Sequence, residues 1–378
     1  MFKSMRLKKS KIIKSFEGMK DHRVVARTLH PLRNIVFITI VGALCGMTGR
    51  EEIADFAKYH RGFFAKYLDL SNGLPSDDTL RRFFNRLDPK EFRKRFYEWA
   101  KEAVGPMKGK TLSLDGKTVR GASAMASDNP VHIVSAWVGE NQMVLAQARV
   151  GTKRNEISAI KELLEVLDLK GTTVTIDAMG CQVKIAERIV GKGADYVLAL
   201  KMNQSTLRKD TDLSFEKLAC CADITTEETD HGRAEVRRYR FIDDLSLLLT
   251  AGDRWKGLGM IVSVDSEVTN KKTGKTTRAT RYYITSMKRC RAEQCKDTIR
   301  SHWGVESMHW SLDVTFGEDS ATKREKNGAE NFNIIRKIAL NVLKNDEVDY
   351  GKKRVSLKRR MLKALHDQEY LKQLLNVL

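Results

Sequence analysis

TTVTIDAMGCQ, Thr172–Gln182, reads as a short buried strand that ends on an aspartate and then turns through small residues. Its β-branched and apolar residues favour an extended, buried backbone. Strand packing gives no reason for the carboxylate of Asp177 at the end of that run. Upstream, NEISAIKELLEVLDLKG (155–171) has apolar residues at helical spacing and stops on glycine. Downstream, CQVKIAERIVGKG reads as a helix and ADYVLALK (194–201) as another buried strand. Before this unit lie three more strands, KTLSLDGKTVRG (110–121), VHIVSAWVG (131–139) and QMVLAQARV (142–150), the last two joined by a turn around GEN. The order β-β-β-α-β-α-β predicts an α/β fold with a mixed sheet flanked by helices.

In such a sheet the first and fourth strands are neighbours. Asp115, in LSLDGKT, and Asp177 then converge at one sheet end, each followed by a small residue. A single strand-end aspartate is more often a turn former or a helix cap. Two together repel in a low dielectric, and one must protonate unless a cation lies between them. Hard divalent ions with oxygen ligands meet that need.

A third ligand is expected within IRSHWGVESMHWSLDVTFGED (Ile299–Asp319). Read as one helix, it places His302, Glu306, His309 and Asp313 on a single face. Trp303, Trp310 and Val314 fall on the adjacent face. For the tryptophans a place in the core is favoured over stacking on an unpaired base. Other chemistries fit less well. GPMKGKT (Gly105–Thr111) is one residue short of a phosphate-binding loop and leads into a strand. Cys290, Cys295, His302 and His309 lack the Cys-x-x-Cys pair of a structural zinc site, and no Gly-x-Ser-x-Gly elbow occurs.

The 378 residues allow two or three domains. Lys plus Arg is 68 against 48 Asp plus Glu, a formal charge of +20, which suits a polyanionic partner. The longest apolar run, Ile35–Met47, is too short to span a bilayer, so membrane insertion is not expected. The basic N-terminus lacks the apolar segment of a secretory signal. The six cysteines show no framework spacing, which fits a reducing cytoplasm. Residues 1–105 read as a helical domain. Within it, PSDDTLRRFFNRL (Pro75–Leu87) carries Arg81, Arg82 and Arg86, and DPKEFRKRFYEWAKEAVG opens on a capping box of Asp88 and Glu91. Such arginines suit DNA binding and equally suit a helix bundle with a solvated face. Residues 106–201 form the first part of the sheet domain, 202–290 a β-rich insertion, 291–345 the returning helices, and 346–378 a basic helical tail.

The series DGKTVRG, VHIVSAW, KRNEISAIKELLEVLDLKGTTVTIDAMGCQ, YVLALKMNQ, RYYITS and HWGVESMHWSLDVTFGEDSA resembles the ISAs1-type (IS4-like) DDE transposases, and among them the H-repeat-associated proteins. HPLRNIVFITIVGALCGMTGREEIADFAKY and LPSDDTLRRFFNRLDP match the same family. The resemblance implies an RNase H-like catalytic domain with a β-rich insertion, and three acids that bind two Mg²⁺ or Mn²⁺ ions. Carried over position by position, the acids are Asp115, Asp177 and Glu306. It implies hydrolysis at transposon ends and strand transfer into target DNA, by a cytoplasmic, nucleoid-associated bacterial protein that is homodimeric in its active complex. Where the broader group's signature has tyrosine, arginine and lysine around the last acid, this chain has Ile299, His302 and Asp313. DNA contacts are then expected from Lys201, Gln204, Arg300, His302 and Trp303. Two alternatives stay open: a metal nuclease that cuts without joining, and a DNA-binding protein that has lost catalysis.

Overall fold

A computed structural model describes residues 11–24, 28–119, 131–151, 155–230, 232–249, 252–320, 327–346, 348 and 355–376. The basic residues 1–10, and Gly351–Arg354 of the basic C-terminal segment, lie outside the described residues. So do Arg120 and Gly121 of DGKTVRG and Lys153 and Arg154 of KRNEISAIK.

The N-terminal helices are α1 (Lys11–Ser15), α2 (Leu32–Leu44), α3 (Arg50–Tyr59), α4 (Arg61–Phe64), α5 (Asp77–Arg86) and α6 (Pro89–Val104), the last two opened by capping side chains. The apolar run of α2 is buried on every side except at Arg33, as an all-round hydrophobic helix requires. At α5, Ser76 Oγ accepts a bond of 3.2 Å from the Thr79 amide. Asp77 and Asp78 favour the positive end of the helix dipole. Asp78 also pairs with both Arg81 and Arg82 at 2.7 Å, so two of the three arginines are matched within their own helix. At α6, Asp88 accepts from the Lys90 amide at 3.0 Å, Pro89 takes the first position, and Gly105 closes the helix at φ 69°. Glu91, expected to reach back to the cap, instead accepts from Arg95 Nε at 3.2 Å. A Ser76→Ala substitution should cost about 1 kcal/mol, read as a lower urea midpoint with an unchanged slope.

The sheet follows from β1 (Thr111–Val119), β2 (Val131–Val138), β3 (Met143–Arg149), α7 (Glu156–Val166), β4 (Thr173–Ile176), α8 (Val183–Gly191) and β5 (Asp195–Leu200). β1 is antiparallel to β2 and parallel to β4, and β4 is parallel to β5. The order β3-β2-β1-β4-β5 is the RNase H-like arrangement that the resemblance implies. After β5 come α9 (Ser205–Lys217), β6 (Ala222–Asp230), β7 (Arg233–Ile242), β8 (Met260–Asn270) and β9 (Thr276–Thr285). β9 pairs with β5 through Val197↔Thr285, so this antiparallel meander continues the same sheet to nine strands among the described residues. Neither α9 nor β6 is signalled by periodicity. β6, ADITTEETD, is a polar edge strand whose backbone pairing with β7, rather than burial, sets its conformation.

The chain returns through α10 (Ala292–Ser301), α11 (Trp303–Trp310), a π-helical turn (Ser311–Thr315), α12 (Gly328–Lys344), α13 (Leu357–His366) and α14 (Gln368–Leu374). α12 is buried from Gly328 to Leu343, including Asn331, Asn333, Arg336, Lys337 and Asn341. Buried polar groups need partners, and Asn341 exchanges two hydrogen bonds with the backbone of Val144, at 2.8 and 2.9 Å. Lys337 donates to Ser135 Oγ at 2.7 Å and Gln147 Oε1 at 2.9 Å, and burial pushes its ammonium down to about 7. The described part of the basic C-terminal segment packs as α13. Met361 and Ala364 are buried, and Arg360 donates to Leu343 O at 2.6 Å.

Candidate metal centre

β4 ends at Ile176, which stands opposite Leu114 of β1. The next residue on each strand is an aspartate, Asp177 and Asp115, and parallel register makes them neighbours. Asp115 is not at the end of its strand, as expected from sequence. β1 runs on to Val119, paired beyond Leu114 with β2 alone among the described residues. The early end of β4 therefore leaves a notch beside Asp115. Asp177 caps the turn Ala178–Gly180, accepting from the Gly180 amide at 3.3 Å. Asn203 donates to Ala178 O at 2.6 Å and Gln204 to Cys181 O at 2.9 Å, which ties the same turn to the segment after β5.

The notch is negative and poorly compensated. Burial raises the Asp177 carboxyl above the usual aspartate range; the charges of Asp115 and Glu156 add to the rise, while the Gly180 amide and His302 oppose it. Burial also lowers the His302 imidazole, against the pull of both aspartates, and its Nδ1 lies 3.4 Å from Thr175 Oγ1. His309 Nε2 lies 3.3 Å from Asp115 Oδ2, yet neither ring nitrogen makes a hydrogen bond. Lys117, two residues beyond Asp115, is occupied by Asp313, by Glu318 at 3.1 Å and by Asp319 at 3.8 Å. Among the described residues no lysine or arginine pairs with Asp115 or Asp177.

The segment that carries Glu306 differs from the single helix expected. It breaks at His302 and ends in the π turn, and Asp313 faces Lys117 instead of continuing the stripe of His302, Glu306 and His309. Glu306 is exposed on α11. Among the described residues no three His, Cys, Asp or Glu side chains are gathered to hold a metal ion as they stand. Trp303, Trp310 and Val314 are 42%, 61% and 61% exposed, so they are not core residues. The core face is Val305, Met308 and Leu312 instead. Gly304 brings it close to β2: a Cβ there would lie 3.0 Å from Trp137 Nε1.

The other expected DNA contacts divide. Lys201 and Trp303 are exposed, with Arg281 over the Trp303 ring at 5.4 Å. Arg300 is engaged by Glu228 at 2.6 Å and Gln204 by the Cys181 carbonyl, while His302 is half-buried with Nδ1 3.4 Å from Thr175 Oγ1. The sequence reading does not single out Glu156, whose carboxylate the fold places over Gly116. The glycine after Asp115 and the asparagine cap before Glu156 are its only local signals.

The Transposase DDE domain model matches residues 106–342, more than half of the chain, and a DDE_Tnp_1-associated model matches residues 13–100. The chain belongs to the transposase DDE domain family. It is 35% identical over 374 residues to the "H repeat-associated putative transposase YhhI" of Escherichia coli K12, covering 96% of each chain. It is 38% identical over 333 residues to the "Putative transposase YncI" of Escherichia coli O157:H7, covering 86% of this chain and 85% of that one. Among solved structures, a piggyBac transposase synaptic complex with hairpin DNA aligns over 94% of this chain and 76% of its own, with a TM-score of 0.42 and 13% identity. Dependence on a divalent metal goes with the DDE domain, and the notch has features that fit one. Two carboxylates lie in register with no lysine or arginine partner among the described residues, the buried histidine beside one of them has no hydrogen bond at either nitrogen, and the space over Gly116 is filled by a third carboxylate rather than a Cβ. No helix among the described residues is long and apolar enough to cross a membrane.

Proposed function

We propose that this DDE transposase cuts phosphodiester bonds at transposon ends and joins the freed 3′ ends to target DNA. Asp115, Asp177 and Glu306 would hold Mg²⁺ or Mn²⁺ for this work. The observation that carries the reading is the pair Asp115 and Asp177, in register on adjacent parallel strands and unmatched by any lysine or arginine among the described residues. Bound divalent ions, two in number, would supply Lewis-acid polarisation of the phosphate and activation of the attacking oxygen. The protein's own part is placement. The Gly180 amide, Asn203 and Gln204 fix the turn that carries Asp177. His302, half-buried and within the electrostatic reach of both aspartates, lies with Nδ1 3.4 Å from Thr175 Oγ1. Glu306 projects from α11 one helical turn from both His302 and His309, open to solvent and to an incoming strand.

The net charge of +20 supplies phosphate attraction, with Lys201 and Trp303 exposed for direct contact. We place the protein in the bacterial cytoplasm with the nucleoid, acting as a homodimer on paired ends. The test uses a duplex carrying the element's own end, and a second duplex already cut at that end. With Mg²⁺ or Mn²⁺ the first should be cleaved and the second joined to target DNA. Ca²⁺ should support binding with little turnover, because its looser coordination positions the reacting oxygens poorly. Cleavage without joining would make the protein a nuclease; binding without either reaction would make it a DNA-binding relic.

A further inference from the structure

We propose that Glu156 is a further ligand of the metal centre, a fourth carboxylate that reaches the notch from the sheet face opposite Asp115. The inference rests on the functional reading above and adds a residue to it.

Three observations carry it. The first is placement. Asn155 caps α7, its Oδ1 accepting from the Ser158 amide at 3.3 Å, and so fixes Glu156 as the first helical residue. The Glu156 carboxylate then lies over Gly116, the residue after Asp115, on the face of β1 opposite the Asp115 side chain. A Cβ at position 116 would stand 1.3 Å from Oε1, so only glycine in that position admits the carboxylate. The second is restraint. His132, on β2 opposite Thr118, approaches Glu156 Oε1 with Nε2 at 3.1 Å and Thr118 Oγ1 with Nδ1 at 2.9 Å. The Glu156 side chain is only 13% exposed. A helix-terminal acid that merely favours the dipole needs neither burial nor a glycine cleared beneath it. The third comes from the other face. His309 is 8% exposed, has no hydrogen bond at either nitrogen, and is aimed at Asp115. A buried ring that makes no hydrogen bond, beside a carboxylate 3.3 Å away, is an unusual use of polar groups in a core and fits a site shaped for a ligand.

The topology explains how the two faces meet. Side chains alternate along a strand, so Asp115 and position 116 face opposite sides of the sheet. Inside a sheet the neighbouring strand would separate them. Here β4 stops at Ile176, so beyond Leu114 the β1 edge is open toward the Asp177 turn. A cation in that notch is reachable from both faces. Asp115, Asp177 and Glu156 have no lysine or arginine partner among the described residues.

The experiment measures Mn²⁺ binding to the full chain without DNA, by the loss of the free-ion paramagnetic resonance signal. Glu156→Gln should weaken binding by about tenfold or more, with helical circular dichroism in EDTA unchanged. Glu156→Asp keeps the charge but withdraws it by one methylene. It should fall between the two, and it decides the matter if the glutamine variant does not fold. Asp115→Asn and Asp177→Asn are run beside them. Wild-type affinity in the Glu156 variants, with binding lost in both aspartate variants, overturns this inference and leaves the functional reading standing. Wild-type affinity in the aspartate variants, or no binding by the unmodified chain, overturns the reading and the inference together.

Discussion

Asp115→Asn and Asp177→Asn should each slow Mg²⁺-dependent cleavage of the element's end by about a hundredfold to a thousandfold, while the fold survives. The substitution keeps shape and removes the charge that a divalent ion needs. Its effect on stability has a definite sign at Asp177. That carboxyl is raised by burial, and further by Asp115 and Glu156. A carboxyl with a raised folded value favours the folded state while protonated, and the advantage is lost as pH rises through that value. Where the unfolded chain's aspartate is ionised, burial of this carboxyl therefore counts against the fold, and asparagine relieves it. The melting temperature of Asp177→Asn should equal or exceed that of the unmodified chain. Loss of activity together with a lowered melting temperature would point to damage to the fold rather than to a missing ligand. Glu306→Gln should lose activity in the same way. Full cleavage by any of the three variants would remove that residue from the centre.

Glu318→Gln should lower stability by about 3–5 kcal/mol at pH 7, the usual cost of removing one partner from a buried ion pair. Glu318 is buried, accepts from Asn333 Nδ2 at 2.7 Å, and lies 3.1 Å from Lys117 and 3.7 Å from Arg336. Burial alone would raise its carboxyl, but Arg336, Lys117 and the Asn333 bond outweigh burial and hold it below the usual glutamate range. A depressed carboxyl stabilises the fold above its unfolded value and loses that contribution as pH falls through the folded one. The gap between the variant and the unmodified chain should therefore be widest near neutrality and shrink in acid. Urea midpoints across that range measure it. Equal midpoints at pH 7 would mean that the pair adds nothing. The same network holds Lys117 away from Asp115, so its loss should also weaken metal binding at the notch.

Local sequence carried much of this architecture. Alternation marked β1 to β3, apolar runs marked β4 and β5, and Ser76, Asp88 and Asn155 marked helix starts, because strands and caps are decided by residues within a few positions. The neighbouring aspartates were legible for a related reason: the β-β-β-α-β-α-β order leaves few ways to join the strands. The residues around Asp177 and Glu306 also carried the family resemblance. What failed were inferences about facing. Spacing puts the apolar side of α11 on Trp303 and Trp310, but Gly304 lets Val305, Met308 and Leu312 approach β2 instead. β6 and the buried polar side of α12 had no periodic signal, since their partners are β7, Ser135, Gln147 and Val144, distant in the chain.

By itself, then, the sequence determined the succession of strands and helices, the burial of α2, and the delivery of two carboxylates to adjacent strands. Only the tertiary structure decided where β4 stops relative to β1, which tryptophans meet solvent, and that Glu156 lies over Gly116. The reason is range. Periodicity and capping are set by neighbours along the chain, whereas an open notch between two sheet faces exists only after long-range pairing has fixed which strand ends first.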